Sequence, residues 1–477
     1  MKLITKLFPY QEEAVQKLSK VKVGALYMEM GTGKTRTALE LIQRRLETGK
    51  VSQVLWLCPY SVTKDLPELL SEHAEGFEEQ IKIAGIESLS NSDRIYLELI
   101  QYVQSAPTFL VVDESLLVKN PFAYRTKRVM SISEQCSYKL ILNGTPISRN
   151  EADLFSQWYI LDWRILGYLS YYSFSANHLE MDEMRPGKVV RVLNTDYLAR
   201  KIAPYTYQCS KADVLDLPGK IECSTHYWLT PEQDEHYELV SGILLDEINE
   251  NKPETIYRLF GALQAITSGF RIKFNRRMTH CTAEPFFKDP EDNPRIQTLI
   301  GELEDMGDDQ AVIYCRYTQE IQDILSVLGD QALPFYGEMS VKARQKNKNA
   351  FKAGKAKYLV ANKSCAQFGL NLQFCHREIF YNNDWDWGTR AQAEDRLHRV
   401  GQTRDVIIQN IYAANTLDET ILSCLGRKER LSDLFKSEVA KHNKSSLMQV
   451  LKAAINGQAE KGVKKEIEQN LQRHQRV

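Results

Sequence analysis

MEMGTGKT, residues 28–35, grows out of the apolar run VGALYM that starts at Val23 and opens a stretch of helical spacing from Thr35 to Arg45. A strand that ends in a glycine-rich turn and passes into a helix lets backbone N–H groups close around phosphate oxygens. Gly31 and Gly33 allow the chain to curl, Lys34 reaches β and γ phosphates, and Thr35 offers a hydroxyl to magnesium. Met28 stands where the strict pattern has glycine. A GxGKT string arises by chance in a chain of this length on the order of one time in a hundred, given glycine usage of about 7%. The string therefore reads as a nucleotide loop, and it sets the expectation of an α/β fold.

Downstream, LVVDES at residues 110–115 is an apolar strand ending in two carboxylates. Asp113 would hold magnesium through water, and Glu114 would orient and deprotonate the attacking water, since hydrolysis needs an acceptor within reach of the nucleophile. By itself such a pair is commonly a solvated turn; with the loop upstream it becomes part of one site.

Further apolar, β-branched runs alternate with helical stretches: VLWLC from Val54, FLVVD from Phe109 and LILNG from Leu140, then AVIYC from Ala311, YLVA from Tyr358, IFY from Ile379 and VIIQNIY from Val406. This alternation predicts buried parallel sheets with crossover helices, in two α/β units. Residues near 150 to 290 lose the strand rhythm and read as helical protrusions. The aromatic stripe from Tyr159 to Phe174 would either stack on unpaired bases or pack its helix onto a lobe. Pro204, Pro218, Gly219 and Pro231 place a boundary near 215 to 225. The expected division is residues 1–215 for an N-terminal ATP-binding lobe with a helical insertion from about 150. Residues 216–425 form a C-terminal lobe with a helical insertion up to about 290, and 426–477 a basic helical tail.

With 477 residues, 43% of them hydrophobic and 26% charged, the chain reads as a soluble globular protein. No apolar run approaches the ~20 residues of a membrane helix. No apolar segment fit for a signal peptide follows Lys2 and Lys6, so the cytoplasm is the expected compartment. The nine cysteines form no CxxC pair, and no structural zinc is expected. A net charge of -1 offers no global attraction to a polyanion, so nucleic-acid contacts must come from local patches. The tail after Arg427 is locally basic and reads either as a solvated helical surface or as a DNA-binding segment.

Taken together, these segments resemble the SNF2 family of superfamily 2 helicase-like ATPases, of a minimal bacterial or phage type, from FPYQ at residue 8 to about residue 420. MEMGTGKT matches motif I, CPYSV from Cys58 motif Ia, DESLLVKNPFAYRTKRV from Asp113 motif II, and GTPISRN from Gly144 motif III. SKADVLDLPGK from Ser210 and LTPEQDEHY from Leu229 resemble the passage joining the family's lobes. VIYCRY from Val312, SCAQFGLNLQ from Ser364 and QAEDRLHRVGQTR from Gln392 resemble motifs IV, V and VI.

The resemblance implies two RecA-like parallel-sheet lobes with helical protrusions and a DNA-dependent, helicase-like ATPase, with ATP and Mg2+ as cofactors. It places Gln11, Met30, Gly31, Thr32, Gly33, Lys34, Thr35 and Arg36 around the nucleotide, Gln11 at the adenine edge, and Thr35 and Asp113 at the metal. The catalytic set it implies is Lys34, Asp113, Glu114, Gln392, Arg396 and Arg399. If the motif VI segment is helical, the three-residue spacing puts Arg396 and Arg399 on one face, where a guanidinium could stabilise charge developing on the γ-phosphoryl group. Ser61, Ser88, Thr145, Arg316 and Asn371 are the implied nucleic-acid contacts. The activity implied is ATP-driven translocation along double-stranded DNA by a monomer, with room for a protein partner recruited to DNA. Alternatives are a strand-separating helicase and a nucleotide-switched DNA clamp with little turnover. Departures from the family pattern include Ser115 and Leu116 in place of Ala-His, Cys365, Ala366 and Gln367 in motif V, and Asn382 and Asp386.

Overall fold

The computed structural model describes residues 1–144, 147, 150–182, 189–247, 253–274, 281–362, 371–384, 387–427 and 451–457. The chain divides into two units, Met1–Asp216 and Leu217–Val477.

In the first unit, strands β1 (Val23–Met28), β2 (Gln53–Cys58), β3 (Ile81–Gly85), β4 (Thr108–Asp113), β5 (Tyr138–Asn143) and β6 (Thr206–Cys209) form one parallel sheet, ordered β6-β1-β5-β4-β2-β3. The central strands are apolar along their whole length because both faces are covered. Leu26, Met28, Val54, Trp56, Val111, Leu140 and Leu142 enter one core, whereas Ala25, Tyr27, Leu55, Leu57, Leu110, Val112 and Ile141 enter the other. This is the two-residue period of a strand read from both sides. Helices α1 (Pro9–Leu18) and α2 (Lys34–Glu47) cover the first face, and α3 (Ala152–Leu166) the second.

The aromatic stripe resolves mainly as packing: Trp158, Ile160, Leu161 and Phe174 are buried against the second face. Tyr172 stays exposed beside Phe122. Residues 150 to 290 are richer in strand than their rhythm suggests, since they contain β6, the edge strand β7 (Lys220–Tyr227) and two antiparallel pairings, Leu179–Met181 with Val189–Val192 and Phe270–Phe274 with Cys281–Pro285.

The second unit repeats the design. Strands β7, β8 (Ala311–Cys315), β9 (Ala332–Phe335), β10 (Tyr358–Asn362), β11 (Arg377–Phe380) and β12 (Val406–Ala413) pair in parallel in the order β7-β12-β11-β8-β10-β9. Helices α4 (Pro231–Glu247) and α5 (Pro253–Thr267) join α6 (Trp387–Glu394) and α7 (Leu417–Gly426) around it. Leu451, Ala454 and Ile455, from the segment expected as a tail, are buried with Phe260, Leu263, Leu417 and Ile421. Tyr237 Oη donates to the Ile455 carbonyl at 2.9 Å. That part of the C-terminal region therefore belongs to the core of the second unit; its basic residues other than Lys452 lie outside the described residues. No helix among the described residues is long and apolar enough to cross a membrane.

Candidate nucleotide site and the arginine-bearing turn

Parallel strands point their C-terminal ends the same way, so loops that follow them gather at one edge of the sheet. In the first unit that edge carries the loop after β1, the Asp113–Glu114 pair after β4, and the end of β5. Gly31 and Gly33 both lie in the left-handed region, at φ 80° and 82°, where only glycine is unstrained. A Cβ at Gly33 would also collide with Gln11 Nε2. Gly33 caps α2, so the amides of the helix start face the loop, where an anion is favoured.

With the loop in this form, Lys34 Nζ donates to the Met28 carbonyl at 2.8 Å and stays within the loop it would serve. The loop itself is braced from α1: Gln11 Nε2 and Tyr10 Oη donate to the Thr32 carbonyl at 3.0 and 2.9 Å, and Gln11 Oε1 accepts from the Phe8 amide at 3.0 Å. Gln11 thus fixes the loop's shape directly, whatever it does at an adenine. Tyr10, absent from the sequence-based set, stood inside the FPYQ string. Arg36 is committed to the N-terminal segment and its own helix, with Nη2 donating to the Thr5 carbonyl at 2.7 Å and Nη1 paired with Glu40 at 3.1 Å.

At the end of β4, burial and secondly the Glu114 charge push the Asp113 carboxyl up to about 7, against the pull of Lys34. That pull puts Lys34, the first residue of α2, and Asp113, the last of β4, in one electrostatic neighbourhood. The hydroxyl of Thr35 and the carboxylate of Asp113 are hard oxygen donors suited to Mg2+. Glu114 adopts φ 51° and ψ 55°, a left-handed conformation unusual for a residue with a side chain. Its amide donates to Asp113 Oδ1 at 3.0 Å. Next to it Ser115 is fully buried, with Oγ donating to Gln157 Oε1 at 2.6 Å and accepting from Asn143 Nδ2 at 3.4 Å. Sequence reading gave no hint of Asn143 or Gln157.

Along the same edge the turns bearing Ser61 and Ser88 lie together. Glu87 Oε2 accepts from the Tyr60 amide at 2.8 Å, and a Cβ on Gly85 would come within 3.0 Å of Tyr60 Cα. Thr145 lies outside the described residues.

In the second unit the expected motif VI helix stops short. α6 ends at Glu394, and Arg396 to Gln402 form a series of turns, so helical periodicity does not align Arg396 with Arg399. The cause is local: the Arg396 carbonyl accepts from the Leu372 amide at 3.1 Å instead of continuing the helix, and Gly401 turns left-handed at φ 96°. Gln402 locks the exit, donating from Nε2 to the Cys375 carbonyl at 2.8 Å and accepting the Thr403 and Arg404 amides. Gln392 stays on α6, partly buried. Arg399 donates to the side chain of Asn371, bringing two residues expected in different roles into contact. Arg316 Nη1 lies 3.4 Å from Asp384 Oδ1.

Also unforeseen is Arg390, buried on α6 over the Phe380 ring and donating to Asn383, Asn410 and Glu394. Among the described residues no cluster of three or more metal-binding side chains occurs.

Two families match this chain. Residues 4–146 match the type III restriction enzyme res subunit, and residues 294–401 the helicase conserved C-terminal domain. The chain is 24% identical over 455 residues to an uncharacterized ATP-dependent helicase of Mycoplasma genitalium, covering 90% of this chain and 42% of that protein. It is 23% identical over 472 residues to an uncharacterized ATP-dependent helicase of Bacillus subtilis, covering 90% of this chain and 80% of that one. A Drosophila melanogaster SWI/SNF-related, matrix-associated, actin-dependent regulator of chromatin is 23% identical, with 90% of this chain and 56% of that protein covered. The solved SWI2/SNF2 ATPase core of Sulfolobus solfataricus in complex with dsDNA gives a TM-score of 0.40 at 24% identity, covering 95% of this chain and 98% of that one.

Proposed function

We propose that this chain, a helicase-like ATPase of the SNF2 branch of superfamily 2, couples ATP hydrolysis to movement along double-stranded DNA. The observation that carries the reading is the meeting, at one sheet edge, of a glycine loop held by Gln11 and Tyr10 with an acidic pair whose second member is bent out of the ordinary backbone regions. Lys34 would neutralise the β and γ phosphates. Mg2+ held by Thr35 and Asp113 would draw charge from the oxygens of the scissile phosphoryl group. Glu114 would take the proton of the attacking water. Arg396 and Arg399 are the guanidinium candidates for charge developing on the γ-phosphoryl oxygens.

Backbone tracking of a duplex calls for hydroxyls, amides and scattered cations in place of base readers. The adjoining Ser61 and Ser88 turns suit that task at the same edge as the nucleotide loop. ATP turnover measured with duplex DNA, single-stranded DNA and RNA tests the reading: strongest stimulation by the duplex is expected, and strongest stimulation by RNA would reject it. Release of a labelled strand, assayed in parallel, separates translocation from unwinding.

A further inference from the structure

We propose that the buried hydroxyl of Ser115 is a positioning group which, through Gln157 and Asn143, holds Glu114 in its left-handed conformation and makes that conformation answer to β5 and α3. The proposal rests on the reading of Glu114 as the water-activating base.

A residue with a Cβ stays in the left-handed region only where its surroundings over-determine it. Glu114 is fixed on both sides. Before it, Asp113 ends β4 and accepts the Glu114 amide at 3.0 Å. After it, Ser115 begins a short 3-10 turn to Val118, and the Leu117 amide returns to the Glu114 carbonyl at 2.9 Å. Ser115 is 0% exposed, so its hydroxyl must find partners inside the protein or lose its hydration uncompensated. It finds two, Gln157 Oε1 at 2.6 Å and Asn143 Nδ2 at 3.4 Å. Gln157, also 0% exposed, has its amide orientation set by donating from Nε2 to the Asp153 carbonyl at 2.8 Å.

The two partners are placed with consequence. Asn143 is the last residue of β5, and Gln157 lies on α3, the next helix. In sequence, GTPISRN from Gly144, compared above with motif III and containing Thr145, expected at DNA, runs between β5 and α3. A shift of β5 against α3 would pull on both partners of Ser115, and Ser115 is bonded through one peptide to the residue whose carboxylate must meet the water. The linkage is absent where alanine follows the acidic pair, because a methyl group cannot be held by an amide.

The test uses the full chain with Ser115→Ala, the near-isosteric Ser115→Cys, Gln157→Leu and the double variant Ser115→Ala/Gln157→Leu. Steady-state ATP hydrolysis is measured with and without duplex DNA, alongside affinity for a fluorescent ATP analogue. Loss of orientation at a general base forfeits part of its contribution, so duplex-stimulated kcat should fall about tenfold in Ser115→Ala, with KM for ATP and analogue affinity within about twofold of the parent. Ser115→Cys, a weaker donor, should fall between. The double variant should be no slower than the slower single variant, since the groups act as one unit. Parental kcat in Ser115→Cys and Ser115→Ala, additive losses in the double variant, or a rise in KM at unchanged kcat would overturn the proposal. If Ser115→Ala fails to fold, Ser115→Cys and Gln157→Leu decide the matter by the same criteria. Glu114→Gln separates the two levels: full turnover there rejects the base assignment itself, whereas a dead Glu114→Gln beside a fully active Ser115→Ala rejects only the positioning network.

Discussion

Lys34 is held by the Met28 carbonyl inside a loop braced by Gln11 and Tyr10, so its removal should leave the loop's shape while deleting its charge. Lys34→Ala is expected to lower ATP turnover by at least about a hundredfold, the scale of a lost preorganised charge contact, as measured by phosphate release. Glu114→Gln keeps size and backbone but removes the proton acceptor; analogue binding should persist while turnover drops about 10² to 10⁴-fold. Arg399→Ala should reduce kcat by up to about a thousandfold with nucleotide affinity little changed, and an unchanged rate would remove Arg399 from the finger role. The loop and the acidic pair were legible in sequence because each packs its chemistry into a few consecutive residues. The brace on Ser115 was not, since Ser115 and Gln157 are 42 residues apart and meet only through the packing of α3 on the sheet. The arginine pair shows the opposite failure: a spacing that suggests a helix, in a segment whose carbonyl at Arg396 is taken by Leu372.

Strands β1, β2, β4 and β5, and β8, β10, β11 and β12, could be read from sequence because interior parallel strands must be apolar on both faces. The edges escaped that reading. β7, KIECSTHY, exposes most of its side chains, and β6 is a four-residue strand with polar members, so neither carries the apolar run by which the others were found. Glu378 on β11 is an exception in the other direction, a carboxylate among Val312, Phe380 and Ile408, fully buried with neither oxygen hydrogen-bonded among the described residues. Burial, and then the neighbouring Glu394 charge, push its carboxyl up to about 8, while Arg390 and Lys220 pull it back. Because the folded value exceeds the unfolded one, the folded state binds the extra proton. Stability from this group is therefore complete below the ordinary carboxylate range and is lost as pH rises through about 8. The melting temperature of the parent chain should fall between pH 6 and pH 9, and Glu378→Gln should flatten that part of the profile; an equally steep profile in the variant would show that the proton resides elsewhere.

For the whole molecule, the informative stretch is the one where the first unit gives way to the second. Just past Asp216, three side chains of the arginine-bearing region grip the chain: His398 Nε2 lies 2.8 Å from the Pro218 carbonyl, Asp405 Oδ1 accepts the Gly219 amide at 2.7 Å, and Glu394 accepts from Lys220 Nζ at 2.8 Å. The Gly219 carbonyl in turn accepts the Val406 amide at 2.9 Å. Glu394 and His398 flank Arg396, so a reorientation of residues 217–220 would be felt at the turn that carries both arginines. Asp405 is exposed, so water competes for the bond it makes and its loss should not threaten the fold. If the strap transmits motion, Asp405→Ala combined with His398→Ala should lower duplex-stimulated kcat about fivefold, in the range of energetic coupling between linked elements, with KM for ATP nearly unchanged. If it serves only to hold the edge of the sheet, the variant will melt earlier, yet its kcat, measured well below the transition, will equal that of the parent.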